Sequence, residues 1–356
     1  MDICDLNGFF GCEVLQLSNG IPAIHQKVVA VAQASMDPHY QIHDANASSF
    51  VNMQQPENYP NDVVQRALVT TLESVKAVVA NLSDFWNRHD TVWCTQNVLE
   101  PLLLEMNGEQ NFNASIAPAT FWLMARLQLS IALLSPSTVH IPLSATSIFT
   151  LEYMSAEKSE NVFQYAHNAV ALCINATIFS RGDEDRWLQK QYGLNRVELW
   201  ETLVAGFDRW YKYRPQDFQS IIELYPRDGI SSEDGFPTMV FSSGAAVLAN
   251  QLYHTGMILL LQNKPRFVNR PYSQSSSMST LWHVHRICGI SLSNDRWDNW
   301  DPSLIASLLV AAKSVTHESQ HKAILGTLEN VQRVTGWNFG YHVEQLALEW
   351  QQVNER

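Results

Sequence analysis

The sequence predicts an all-α fold, an irregular multi-helix bundle, on three observations. Apolar residues recur at helical spacing through most of the chain, no stretch keeps the period-two alternation of a half-buried strand, and clusters of Pro, Gly and Ser separate the periodic segments. The composition, 46% hydrophobic and 16% charged with 11 Trp, 15 Phe and 11 Tyr, supplies material for a large core and is too apolar for a disordered chain.

Residues 22–36 read as a first helix, and 61–87 as a second through Val63, Val64, Ala67, Leu68, Leu72, Val75, Val78, Val79 and Leu82. Pro56, Pro60 and the Asn/Gln-rich stretch 52–61 mark a loop before the second, with Asn61-Asp62 as its cap. Residues 118–135 are apolar almost all round, interrupted by Arg126 and Gln128, which predicts a central buried helix closed by Ser135-Pro136-Ser137. Further helices are expected over 159–179, 195–213, 243–262, 277–292, 302–315, 318–335 and 338–353. The stretch from Pro215 to Pro237, with Pro226, Gly229 and Gly235, is the expected mobile cover. With no internal repeat and no low-complexity linker, a single all-helical domain of roughly ten helices over 1–356 is the simplest account.

The formal net charge is −12, with an isoelectric point near 5.4. A nucleic-acid binder needs basic surface to displace phosphate counterions, so direct nucleic-acid binding is disfavoured. The N-terminal Met1-Asp2-Ile3-Cys4-Asp5 is acidic where a secretory signal is basic. No uninterrupted apolar segment reaches the roughly 18 residues of a membrane span, and the expected location is cytoplasmic or nuclear, without membrane insertion. Cys4, Cys12, Cys94, Cys173 and Cys288 are scattered and odd in number, as free thiols would be. Glycosylation sequons at Asn46, Asn81, Asn113 and Asn175 read as chance matches.

Three stretches of the C-terminal half carry a family resemblance. Trp200 is followed by Trp210-Tyr211 and Arg214-Pro215; Phe236-Pro237 leads into Ser243 to Val247, Asn250 to Thr255 and Leu259 to Pro265; Trp282 to Ile290 runs on through Trp300-Asp301-Pro302 to Thr316 to Gln320 and Thr335-Gly336-Trp337. In order and spacing these resemble the regulatory domain of fungal-specific, ARCA-like transcription factors of the zinc-cluster type. The resemblance covers 200–350 well and 20–190 only in general pattern. It implies an irregular all-helical bundle that would follow a six-cysteine zinc cluster and a coiled-coil dimeriser. The cluster needs C-x2-C-x6-C with a basic loop, whereas Cys4 and Cys12 form a lone pair. DNA reading by that route is therefore not expected. Lost upstream exons, a regulator acting through partners, and a scaffold recruited for another task all remain open.

Several clusters could carry chemistry. His317-Glu318-Ser319-Gln320-His321 has the H-E-x-x-H form of zinc metallopeptidases, with Glu344 as a conceivable third ligand. The bland reading is a helix start capped by Thr316, and we assign no metal ligand. Asn250 and His254 lie one turn apart on an otherwise apolar helix, continued by Met257 and Leu261. Such a polar pair is either satisfied by neighbouring elements or lines a cavity as donor and acid/base. His283, His285, Arg286 and Trp282 form a second cluster, whose i, i+2 histidines face different ways. The candidate catalytic residues are thus His254, Asn250 and His283. Tyr253, Met257, Trp282, Arg286, Trp122, Arg126 and Trp210 are the candidate substrate-binding residues, with core packing as the alternative for each.

No G-x-S-x-G elbow, P-loop or dinucleotide fingerprint is present, and Ser155-Ala156-Glu157-Lys158 matches S-x-x-K without its companions. No cofactor is expected. Two functional readings follow. In one, a fungal secondary-metabolism protein binds an apolar terpenoid or polyketide and promotes a cofactor-free cyclisation or isomerisation, with a pericyclic reaction among the candidates. In the other, a transcriptional regulator, or a fragment of one, acts through protein partners without touching DNA. Under either reading a homodimer is open.

Overall fold

The computed structural model describes residues 9–35, 62–87, 99, 101–102, 116–135, 158–181, 193–226, 235–266, 278–296 and 299–354. Among these residues are twelve α-helices and one two-stranded hairpin, and the fold class is all-α as the periodicity predicts. Asn61, the 52–60 stretch, Pro136-Ser137 and Ser155 to Glu157 lie outside the described residues.

In the N-terminal part, α1 (Phe9–Gly20), α2 (Pro22–Ser35) and α3 (Asp62–Ala80) pack in sequence. The apolar periodicity does not predict α1, whose Gly11, Ser18 and Gly20 are weak helix formers; packing against α2 supplies what propensity does not. The segment expected as one helix over 61–87 is two. Asn81 takes an extended backbone and its side chain accepts from the N–H groups of Ser83 and Asp84, which starts α4 (Leu82–Trp86).

The centre is built on α5 (Ile116–Leu134) and α6 (Lys158–Arg181). α7 (Arg196–Lys212) begins with a capping box, Asn195 Oδ1 accepting from Glu198 N–H at 3.0 Å and Glu198 Oε2 accepting from Asn195 N–H at 3.0 Å. The chain then passes through a short 3-10 turn (Gln216–Phe218) into β1 (Ile222–Leu224). β1 pairs antiparallel with β2 (Thr238–Val240), Glu223 opposite Met239. The described ends of the stretch expected as a mobile cover, 215–226 and 235–237, carry the turn and β1 and lead into β2 as a strap, while 227–234 lies outside the described residues.

The C-terminal half adds α8 (Gly244–Gln262), α9 (Thr280–Ser293), α10 (Pro302–Ala312), α11 (Glu318–Thr335) and α12 (Gly340–Asn354). Ser243, Ser279 and Asp301 cap α8, α9 and α10. α11 starts on the His317 side chain rather than the expected Thr316 and stops at Gly336, whose φ of +72° suits glycine. α6 and α8 form the most extensive helix pair, with α9 on another side of α8 and α10 against α5.

Buried apolar residues from Val14 to Trp350 join one cluster. Four buried indoles find acceptors: Trp86 donates to Ser130 Oγ, Trp200 to the Leu260 carbonyl, Trp210 to that of Tyr165 and Trp350 to that of Ala312, whereas Trp300 Nε1 has none. α5 and α8 are each long and apolar enough to cross a membrane, yet 94% and 83% of their apolar windows are buried inside the fold, which makes them core helices. Cys12 and Cys173 are free thiols. Two sequon asparagines have structural work: Asn81 caps α4, and buried Asn175 donates to the Ala171 carbonyl.

Candidate functional site

The site is assembled from one face of α8 and one face of α9. Ser243 Oγ accepts from the Ala246 N–H and sets the register of α8, which then presents Asn250, Tyr253, His254 and Met257 within two turns. Ser279 does the same for α9 through the Trp282 N–H and brings Trp282, His283 and Arg286 toward α8. Asn250, His254, His283 and Met257 are all 0% exposed. His285 points elsewhere and packs edge-on against Phe236, with ring centres 5.5 Å apart.

At the centre, His254 Nδ1 and His283 Nδ1 lie 2.7 Å apart, so one ring donates the shared proton and the other accepts it. His254 Nε2 has no hydrogen-bond partner. Burial, then the neighbouring His283, Arg286 and Arg214, hold the His254 imidazole well below its ordinary pKa, so it stays neutral. Aromatic rings enclose the pair. Tyr253 stacks on Tyr211 at 4.5 Å and on Trp210 at 5.8 Å, and Trp282 meets His254 at 5.4 Å. Burial, then the Asp208 charge, raises the Tyr253 phenol.

Two arginines tie this core to the strap. Arg214 stacks over Tyr211 at 3.4 Å and donates to Asn250 Oδ1 at 2.5 Å, while Asn250 Nδ2 donates to the carbonyls of Phe218 and Ala246. Arg286 lies over Trp282 at 4.4 Å and donates to Glu223 at 2.6 Å, to the Tyr211 hydroxyl at 3.2 Å and to the Tyr225 hydroxyl. Burial acts to raise the Glu223 carboxyl, but hydrogen bonds from Tyr225, Arg286 and Ser220 outweigh it and leave the carboxyl below its usual range. Burial likewise acts against the Arg286 charge, and Tyr211, Glu223 and Tyr225 more than offset it.

The structure brings together Asn250, Tyr253, His254, Trp282, His283, Arg286 and Trp210 from the sequence-predicted set. Trp122 and Arg126 belong to another neighbourhood on α5. Trp122 stacks on His167 of α6 at 4.6 Å, and Arg126 Nε pairs with Asp301 at 3.1 Å. Sequence reasoning missed Glu223, Tyr225 and Arg214 as partners. The available signal was chemical, since a buried arginine on an apolar helix calls for a carboxylate, but spacing could not say which one.

The H-E-x-x-H residues do not face one another as an i, i+4 pair. His317 sits outside the helix with Nδ1 2.7 Å from Ser319 Oγ, while His321 stacks on Trp350 at 3.8 Å with Nε2 2.9 Å from the Val315 carbonyl. Glu318 is exposed and paired with Lys322 at 2.8 Å.

Chemically, the α8–α9 arrangement is a closed polar clamp. It holds the His254–His283 imidazole pair under a strap fastened by two cations, and each candidate catalytic side chain is hydrogen-bonded to a neighbour, with His254 Nε2 left without one. A cavity of about 450 Å³ lies at the other side of the core and shares no lining residue with this cluster.

No protein-family model matches the chain, and no solved structure matches it. The chain is similar to the transcription activator AMTR1 of Alternaria alternata, with 25% identity over 171 residues that take in 43% of this chain and 22% of that protein. The chain thus spans well under two thirds of the length of the curated relative it matches. Over part of its length, then, this helical chain is distantly similar to a fungal transcription activator.

Proposed function

We propose that the chain is a regulatory helical domain of a fungal transcription activator and works through protein contacts in the nucleus. The observation that carries this reading is the similarity to AMTR1, and fold-level analogy alone would be a weaker warrant. The net charge of −12 supports contacts with protein rather than DNA. The strap and the adjoining end of α7 support it too: Tyr213, Ile221, Leu224 and Tyr225 are 65%, 65%, 62% and 53% exposed, an apolar concentration typical of partner surfaces.

A cofactor-free cyclisation needs substrate-sized space beside the acid/base groups. His254 and His283 are fully buried among aromatic rings, so no observation favours that reading over the regulatory one.

The test fuses residues 1–356 to a heterologous DNA-binding domain in a fungal host and reads a reporter. The expected result is a change in reporter output that Ile221→Asp with Leu224→Asp weakens at unchanged protein level. Output equal to that of the DNA-binding domain alone would refute the proposal.

A further inference from the structure

We infer that the cavity between α1, α2, α3 and α5 is a binding site for an uncharged, largely aliphatic small molecule carrying one hydroxyl group. Its volume of about 450 Å³ falls within the range of small-molecule sites, roughly 300–1,000 Å³. The walls are mostly aliphatic, with Val14 from α1, Val31 from α2, Val75 and Val78 from α3, and Leu123 and Leu127 from α5. The hydroxyl of Ser35, which also lines the cavity, donates to the Val31 carbonyl, so transfer of a methylene chain from water is driven by apolar burial.

The head-group chemistry follows from Asp301, the one charged residue among the described residues that line the cavity. Its Oδ1 accepts from the Ser303 N–H at 2.9 Å and the Ser303 hydroxyl at 2.5 Å, and its Oδ2 accepts from Arg126 Nε at 3.1 Å. A carboxylate offers about four acceptor positions, so these three bonds leave one for a further donor. An anionic head group would face this carboxylate. A cationic one would compete with Arg126, which is itself fully buried. A hydroxyl donates one hydrogen bond without adding charge, and it is the group that fits.

The inference does not rest on the regulatory role, because ligand binding is read directly on the purified chain. The probes are 1-dodecanol and dodecanoate, which share an alkyl chain and differ in charge. Dodecanol at about 100 times its Kd is expected to raise the Tm by about 3–4 °C, saturably. Dodecanoate is expected to bind about tenfold more weakly or worse. Val75→Trp fills the cavity and is expected to abolish the shift. Leu15→Glu places a charge at the rim on a residue 58% exposed, where folding is unaffected, and is expected to weaken it about tenfold. The inference is overturned by the absence of a saturable shift, by a shift retained in Leu15→Glu, or by dodecanoate binding as tightly as the alcohol.

Discussion

Asp301 shows how much a single side chain carries here. It caps α10 through the Ser303 N–H and faces Arg126 across 175 residues of sequence, with both side chains at most 3% exposed. Such a pair adds little net stability when intact, because desolvating two charges offsets their attraction, but removing the carboxylate costs Arg126 Nε a charged acceptor. Asp301→Asn is therefore expected to destabilise the fold by about 1.5–3 kcal/mol, read as a lower urea midpoint at unchanged m-value. An unchanged midpoint would show that Arg126 is satisfied without the carboxylate. The same logic changes the expectation for Asn250. Its amide holds the strap through the Phe218 carbonyl and receives Arg214, so Asn250→Ala is expected to loosen residues 214–225 toward protease.

At the scale of elements, two glycines set how closely neighbouring elements approach. A Cβ on Gly289 of α9 would lie 2.1 Å from the Pro237 carbonyl oxygen, a backbone atom that can move only with β2. Gly289→Ala is expected to cost about 1–3 kcal/mol, and a Tm within 1 °C of the wild type would contradict the close approach. A Cβ on Gly256 of α8 would meet the Phe207 ring of α7 at 2.2 Å, a side chain that can be shortened. Gly256→Ala is thus expected to be rescued in part by Phe207→Leu, whereas no side-chain change rescues Gly289→Ala. A double-mutant cycle in thermal unfolding distinguishes the two.

For the whole molecule, buried neutral histidines tie stability to pH. Burial lowers the pKa of His254 and His167 well below 6.5, with His283 next for the first and Arg126 next for the second. In the unfolded chain both titrate near 6.5, so below that pH the unfolded state binds more protons and stability falls as pH falls. Above it their contribution is complete. Two such groups predict a loss of about 2 kcal/mol between pH 6.5 and 5.5, measurable by urea unfolding. His167→Phe is expected to reduce that slope by up to about half, since burial also lowers His285 and His342, which keep their share. A flat stability profile across this interval would show that the imidazoles are charged in the folded state.

The amphipathic periods of α3, α7 and α11 and the all-round apolar character of α5 and α8 made the helical class legible. So was the prospect that Asn250, His254 and Arg286, polar groups on apolar helices, would need partners. The sequence by itself determined helix, core and net charge, because these follow from local propensity and from sums over residues. The tertiary structure alone decided that His254 meets His283, 29 residues on, and that Arg286 meets Glu223, 63 residues back. It also decided that Trp122 and Arg126 stand apart from both and that the cavity opens among α1, α2, α3 and α5. These pairings depend on which helix faces cross and at what register, a property of packing between distant segments that no local spacing encodes.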